Sequence, residues 1–177
     1  MLRKELRRKL DVLGPTERTR RSQSILERLF SHPRFVQAKT LLSYVARAPE
    51  VETWPIVERA LEERKKVYLP RVNPESRQIW IIEISGQEKL EPGSYGILEP
   101  PFDKSRVGDP KDLDFVVVPG LGFDPQGGRL GRGGGYFDRF LKEAKKAYKI
   151  GLSFECQVVE AVPRGIHDIE VDEVLIG

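Results

Sequence analysis

An α/β fold, one layered domain with a mostly parallel central sheet flanked by helices, is what this sequence predicts, and three observations carry that expectation. Segments with strand and helix character alternate along the chain. The run Asp114-Phe-Val-Val-Val-Pro119 is apolar at every position between its ends, as a strand buried on both faces requires. A glycine-rich stretch follows it, where such a sheet keeps its ligand loops, beyond the carboxyl ends of the strands. A single domain over 1–177 is expected, since two would each fall near the lower size limit.

The elements follow in order. Leu2, Leu6, Leu10 and Leu13 recur at helical spacing, and Gly14-Pro15 breaks that helix. A second helix is expected from about Thr16 to Leu29, with Ile25, Leu26 and Leu29 inward, stopping near His32-Pro33. Thr40-Leu-Leu-Ser-Tyr-Val-Ala reads as a buried strand. Thr53 can cap the next helix, Pro55 suits its first turn, and Val57, Ala60 and Leu61 face inward. Lys66–Val72 and Gln78–Ile84 read as strands, followed by an irregular stretch over 85–111 rich in Pro and Gly. After the Asp114–Pro119 strand and the glycine loop come a helix from about Tyr136 to Tyr148 and the short strand Lys149-Ile-Gly-Leu-Ser. A helical piece at Cys156–Glu160 and a closing strand at Val171–Ile176 complete the pattern.

Composition excludes several classes. Hydrophobic residues make up 39% and charged residues 32%, a globular profile. Cys156 is the only cysteine, so neither an intrachain disulfide nor a thiolate metal cluster can form, and a reduced, cytoplasmic setting is expected. No apolar run approaches the roughly 18 residues of a membrane span. The charged amino end lacks the apolar stretch of a secretion signal. The formal charge of +3 is polarised: residues 1–28 carry nine basic side chains against four acidic ones, and residues 155–177 carry six acidic ones against Arg164 alone. Either one end is suited to an anion and the other to a cation, or both are solvated faces.

The most informative window is Gly127-Gly-Arg-Leu-Gly-Arg-Gly-Gly-Gly-Tyr-Phe-Asp138, in which six of the nine residues 127–135 are glycine. Backbone amides turned inward and leading into a helix start attract an anion, and Arg129 and Arg132 add planar charged forks suited to phosphate. Each charge-assisted contact contributes roughly 1.5–3 kcal/mol, so several together can hold a polyphosphate. Neither standard phosphate signature is met: Gly-Lys followed by Ser or Thr is absent, and from Gly131 and Gly133 a third dinucleotide-loop glycine would fall on Tyr136.

Asp138, just inside the following helix, either favours the helix dipole or holds magnesium beside phosphate, with a second carboxylate from Asp168 or Asp172. His167 is more suited to a structural hydrogen bond than to catalysis. Cys156, beside Glu155 and without an adjacent cation, is a poor nucleophile. Glu50 and Glu52 lie on a loop between a strand end and a helix, where Glu52 can accept from a ring amine or stay solvated. Trp54 and Tyr136 are suited either to stacking on a heterocycle or to the core. The basic amino end has two readings as well: a cationic helix for nucleic acid, or Arg3, Lys4 and Arg7 folded over the glycine loop.

These residues resemble the 5-formyltetrahydrofolate cyclo-ligase family, in order and over nearly the whole chain. The matching stretches are Arg3-Lys-Glu-Leu-Arg7, Glu50-Val-Glu-Thr53, Tyr95-Gly-Ile-Leu-Glu-Pro100, Val116-Val-Val-Pro-Gly-Leu-Gly-Phe-Asp124, Arg129–Asp138, His167-Asp168 and Val171-Asp-Glu-Val174. The resemblance implies an enzyme that uses ATP and magnesium to close 5-formyltetrahydrofolate to the 5,10-methenyl form, releasing ADP and phosphate. It implies that ATP meets Arg3, Lys4, Arg7, Arg129, Leu130, Gly131, Arg132, Gly133, Gly134, Gly135, Tyr136 and Phe137. Folate would meet Glu52, Arg132, Gly133, Gly134, Gly135 and Tyr136, magnesium Asp138 and Asp168, and Arg132 and Tyr136 would stand at the reacting atoms. It also implies a phosphorylated formyl intermediate and small-molecule partners only, with no nucleic acid, no membrane and a monomeric chain. Two departures stand out: some members carry Lys where this chain has Gly134, and Tyr where it has Phe137.

Overall fold

The computed structural model of the chain describes residues 2–177. Its helices are α1 (Leu2–Val12), α2 (Pro15–Phe30), α3 (Pro33–Gln37), α4 (Trp54–Glu62) and α5 (Tyr136–Leu141). Its strands are β1 (Thr40–Leu42), β2 (Lys66–Asn73), β3 (Gln78–Ile84), β4 (Glu91–Pro92), β5 (Leu98–Glu99), β6 (Phe115–Val118), β7 (Gly122–Phe123), β8 (Arg129–Leu130), β9 (Tyr148–Ser153) and β10 (Glu173–Ile176). Six strands form one sheet in the order β10-β9-β6-β1-β2-β3. Every neighbouring pair is parallel except β2–β3, an antiparallel hairpin at one edge. This is the expected mostly parallel α/β layering.

Period-two alternation divides the core into two layers. Leu41, Val67, Leu69, Phe115, Val117, Ile150 and Leu152 point to the face covered by α2 and α4, against Ile25, Leu29, Ile56 and Val57. Leu42, Tyr68, Val116 and Val118 point to the other, against Phe123, Phe140 and Leu141. β6 lies in the middle and is buried at all four residues, which is why its sequence is continuously apolar. Gly14-Pro15 does end the first helix, with Pro15 at the first position of α2, where its missing N–H leaves nothing unpaired.

Several boundaries differ from expectation. The strand beginning at Thr40 stops at Leu42, and the chain leaves the sheet toward a loop held by Thr53. Thr53 does not cap α4: its hydroxyl donates to the Tyr44 carbonyl and accepts the Ala46 N–H at 3.0 Å, closing the loop over 44–53. α5 ends at Leu141 rather than near Tyr148, because Tyr148 must pair with Phe115 and a continued helix would carry the chain past that register. The helical piece near Cys156 is a single 3-10 turn at Glu155–Gln157, and the closing strand begins at Glu173. α3, which the periodicity did not mark, starts where the His32 Nδ1 accepts the Arg34 N–H at 3.2 Å. The 85–111 stretch contains the β4–β5 hairpin and 3-10 turns capped by Asp103 and Asp109. Among the described residues no helix is long and apolar enough to cross a membrane.

Candidate active site

The glycine segment leaves the carboxyl end of β6 and forms the β7–β8 hairpin before entering α5. Asp124 builds its tight turn. That side chain is 1% exposed, and its Oδ1 accepts the N–H groups of Gln126 at 3.0 Å and Gly128 at 2.7 Å. Its Oδ2 accepts Val162 N–H at 2.8 Å, and Arg164 Nη2 lies 2.9 Å from Oδ1. These donors hold the carboxyl below the usual aspartate range against the opposing effect of burial. Past β8 the backbone takes left-handed conformations at Gly133 (φ +102°) and Gly135 (φ +65°), which side chains rarely adopt, so the entry into α5 requires glycine.

α1 is seated on this hairpin. Leu6 is fully buried with Leu130 and Val162, and a Cβ on Gly122 would lie 2.5 Å from Leu6 Cδ1. The seating brings Arg3 to the glycine loop, where its Nε donates to Gly131 O at 2.9 Å. Of the two readings of the basic amino end, the geometry is that of a helix folded over the loop. Lys4 and Arg7 are exposed on the same helix.

Arg129 is the most enclosed cation of the segment, its side chain 4% exposed. Nη2 meets Asp138 Oδ1 at 2.5 Å and Nη1 the Pro119 carbonyl at 3.4 Å, while the buried Nε–H has no partner among the described residues. Leu130, beside it, is buried in the α1 contact. Arg132 forms a close ion pair with Glu50 Oε1, whose Oε2 accepts the Arg47 N–H at 3.1 Å. The loop following β1 is thereby joined to the glycine segment, 82 positions away. Glu52, by contrast, turns to α2, accepting from Thr19 Oγ1 at 3.3 Å while its backbone N–H donates to Ser22 Oγ at 3.2 Å.

Tyr136 opens α5. Its hydroxyl lies 3.1 Å from that of Tyr95, the two rings meet edge to face, and the Arg139 guanidinium sits 5.0 Å from the Tyr136 ring centre. Hydrogen bonding with Tyr95 is the main cause of the raised Tyr136 pKa. A Cβ on Gly134 would lie 2.7 Å from Tyr136 Cδ2, so a side chain there requires the ring to move. Phe137 packs edge to face on Phe140 and, like Tyr136, is partly buried against the core.

Of the expected metal ligands, Asp138 is committed to Arg129 and also accepts Ile169 N–H at 3.2 Å through Oδ1. That contact brings the neighbour of Asp168 against Asp138, while Asp168 Oδ2 accepts Gly165 N–H at 2.7 Å. Asp172, the other carboxylate considered, lies by the amino end of β9, where it accepts Lys149 N–H at 2.7 Å. Among the described residues no group of three or more His, Cys, Asp or Glu is placed to hold a metal. His167 is exposed beside Lys142, and burial pushes the Cys156 thiol up, away from thiolate chemistry. Trp54 is half-exposed at the start of α4.

The sequence reading missed three contributors: Tyr95, Arg139 and the turn-building Asp124. Tyr95 and Asp124 stand within the quoted motifs, but nothing in their spacing discloses whom they touch. Arg139 carries no signal beyond its place one turn into α5.

Comparison with known proteins identifies the family. The family model described as "5-formyltetrahydrofolate cyclo-ligase family" matches residues 1–177. The chain is 32% identical to the 5-formyltetrahydrofolate cyclo-ligase of Mus musculus, covering 98% of this chain and 91% of that protein. It is 30% identical to that of Escherichia coli K12, covering 96% and 95%. The solved structure of 5,10-methenyltetrahydrofolate synthetase from Aquifex aeolicus superposes with a TM-score of 0.84 at 35% identity, over 99% of this chain and 87% of that one. With a family match over its whole length and relatives of this similarity, the chain belongs to the 5-formyltetrahydrofolate cyclo-ligase family.

Proposed function

We propose that the chain closes 5-formyltetrahydrofolate to 5,10-methenyltetrahydrofolate with ATP as phosphoryl donor, through a phosphorylated formyl intermediate, residues 1–177 serving as one ATP- and folate-binding domain. The observation that carries the reading is the buried, unpartnered Nε–H of Arg129 beneath a glycine loop joined by Arg3. A buried donor without an acceptor costs roughly 1–3 kcal/mol, and a phosphate oxygen is the partner this surrounding favours. Arg3, Lys4 and Arg7, with the stretch Arg129 to Phe137, bind the nucleotide on this reading, the loop amides taking phosphate oxygens. Arg132, Gly133, Gly134, Gly135 and Tyr136 bind the folate, with Tyr95 joining Tyr136 on that side, and Glu52 joins them by exchanging its Thr19 contact for the ligand.

Oxygen donors fit magnesium, a hard cation that keeps several waters and is commonly held by one or two carboxylates plus substrate phosphates. Asp138 and Asp168 would hold it, and when bound it supplies charge neutralisation on the transferring phosphoryl group. This chain's own residues do the rest. Arg129 and Arg132 stabilise charge on the phosphates as the formyl oxygen takes the γ-phosphoryl group and ADP departs. Tyr136 and Tyr95 orient the folate so that its N10 meets the activated formyl carbon. The N10–C bond forms, the C–O bond breaks, phosphate leaves, and the N10 proton passes to solvent. Positioning rather than a side-chain nucleophile carries the chemistry.

The test is to mix the protein with 5-formyltetrahydrofolate, ATP and magnesium and follow the near-ultraviolet absorbance of the methenyl product. The expected result is product formation that requires ATP, with phosphate released in equal amount. Product at the same rate without ATP, or phosphate release independent of the folate, overturns the reading.

A further inference from the structure

We propose that Glu99 is a positioning residue for the folate side of the site: its carboxylate, enclosed between β2 and the turn over 93–97, holds Tyr95 against Tyr136. The inference rests on the reading that Tyr136 faces folate. Glu99 is 3% exposed although its neighbour Leu98 is open to solvent. Its Oε1 accepts the Val72 N–H of β2 at 3.3 Å, and from the turn side the Ser94 backbone favours the ionised carboxylate. Gly93 lies so close that a Cβ there would overlap Glu99 Cδ and Oε2. One side chain therefore joins the sheet to the turn.

That turn needs such a tie. β4 and β5 pair through only Glu91–Glu99 and Pro92–Leu98, and the turn is closed by Gly93 N–H donating to the Ile97 carbonyl at 2.8 Å, a hairpin short enough to gain from an outside tie. Its tip carries Tyr95 at φ +62° and Gly96 at φ +68°, two left-handed residues in succession. Tyr95 is left 68% exposed, its hydroxyl 3.1 Å from that of Tyr136. The other ties of the hairpin lie below the tip, where Arg71 Nη1 meets Glu91 Oε1 and the Pro100 carbonyl, both at 2.7 Å. Besides Tyr136, among the described residues the Arg47 Nη1 contact with Tyr95 O, at 3.4 Å, is the hydrogen bond that acts on the tip from elsewhere. The charged groups acting on Glu99 are Arg71, which favours its ionised form, and Glu91, which opposes it. Burial dominates and raises its pKa.

The ionised carboxylate turns acceptors both to the Val72 N–H and to the Ser94 backbone, whereas a glutamine in its place sets an NH2 against one of the two. Glu99→Gln is expected to raise the KM for 5-formyltetrahydrofolate about three- to tenfold, the scale of one lost hydrogen bond, with the KM for ATP and kcat little changed. Gly93→Ala, which drives a methyl into the carboxylate, should act in the same direction. In a Glu99→Ala background it should add nothing, because the overlapped atoms are gone. The gap in folate KM between wild type and Glu99→Gln should narrow as pH falls and Glu99 takes up its proton.

Tyr95→Ala separates the two layers of the argument. If it raises the folate KM while Glu99→Gln and Gly93→Ala leave it unchanged, Glu99 does not position the tyrosine and the inference falls alone. If Tyr95→Ala and Tyr136→Ala also leave it unchanged, the assignment of the folate side falls and takes the inference with it. Loss of thermal stability in Glu99→Gln with an unchanged folate KM likewise overturns it.

Discussion

Asp124→Asn tests whether the turn ahead of Arg129 is held by a carboxylate rather than by hairpin pairing. The replacement keeps an oxygen for the Gln126 and Gly128 N–H groups, at 3.0 and 2.7 Å, but puts an NH2 where Oδ2 now accepts Val162 N–H at 2.8 Å. Donor then faces donor in a place that is 1% exposed. Losing a hydrogen bond to a charged acceptor and stranding a buried N–H together cost about 3–4 kcal/mol. Because the Arg164 side chain is well exposed, its ion pair adds little to that figure. For a chain of this length the loss corresponds to a fall in Tm of about 6–16 °C, measurable by calorimetry or circular dichroism. The pH dependence has a definite sign. The folded-state pKa of Asp124 is lowered, so its contribution is present above the unfolded value of about 3.9 and disappears as pH falls through the folded one. The gap between wild type and Asp124→Asn must therefore close on acidification. A neutral-pH Tm within a degree or two of wild type, or a gap that persists unchanged in acid, refutes the reasoning.

Further outcomes follow from the same geometry. Thr53→Val strands the Ala46 N–H and the Tyr44 carbonyl and should cost about 2–3 kcal/mol in denaturant unfolding, whereas Thr53→Ser should stay within about 1 kcal/mol of wild type. Asp138→Asn removes the ionised partner of an enclosed Arg129 and should lower turnover about a hundredfold or more with the fold retained, checked by the absorbance assay beside circular dichroism. Tyr148, desolvated and donating to Glu173 at 2.8 Å, has its pKa pushed up to about 12. Alkaline titration of tyrosinate absorbance should show a component there that Tyr148→Phe deletes. Stability from this group is present below its unfolded value of about 10 and lost as pH rises toward the folded one.

Much of this was readable from residue order because it depends on local or periodic information. Continuous apolar character placed β6 at the centre of the sheet, Gly14-Pro15 separated α1 from α2, and the glycine and arginine window marked an anion-suited loop before a helix. Six glycines exceed what a plain connection requires, so the loop stood out by its composition. Element ends were less legible. Thr53 has the chemistry of a cap, yet its hydroxyl bonds inside the preceding loop, and Tyr148 starts a strand because Phe115 lies beside it.

By itself the sequence determined the layered α/β class, the position of the glycine loop and the arginines that populate it, because backbone preference and side-chain charge belong to single residues and short windows. Partnership was decided only by tertiary structure. Packing of Leu6 on the β7–β8 hairpin brings Arg3 to Gly131, Arg132 reaches across to Glu50, and Asp138 turns to Arg129. A two-residue hairpin in an otherwise irregular stretch delivers Tyr95 to Tyr136. Each of these pairings joins separate turns, loops or strands, and its geometry depends on how the sheet orders its strands, which no local pattern encodes.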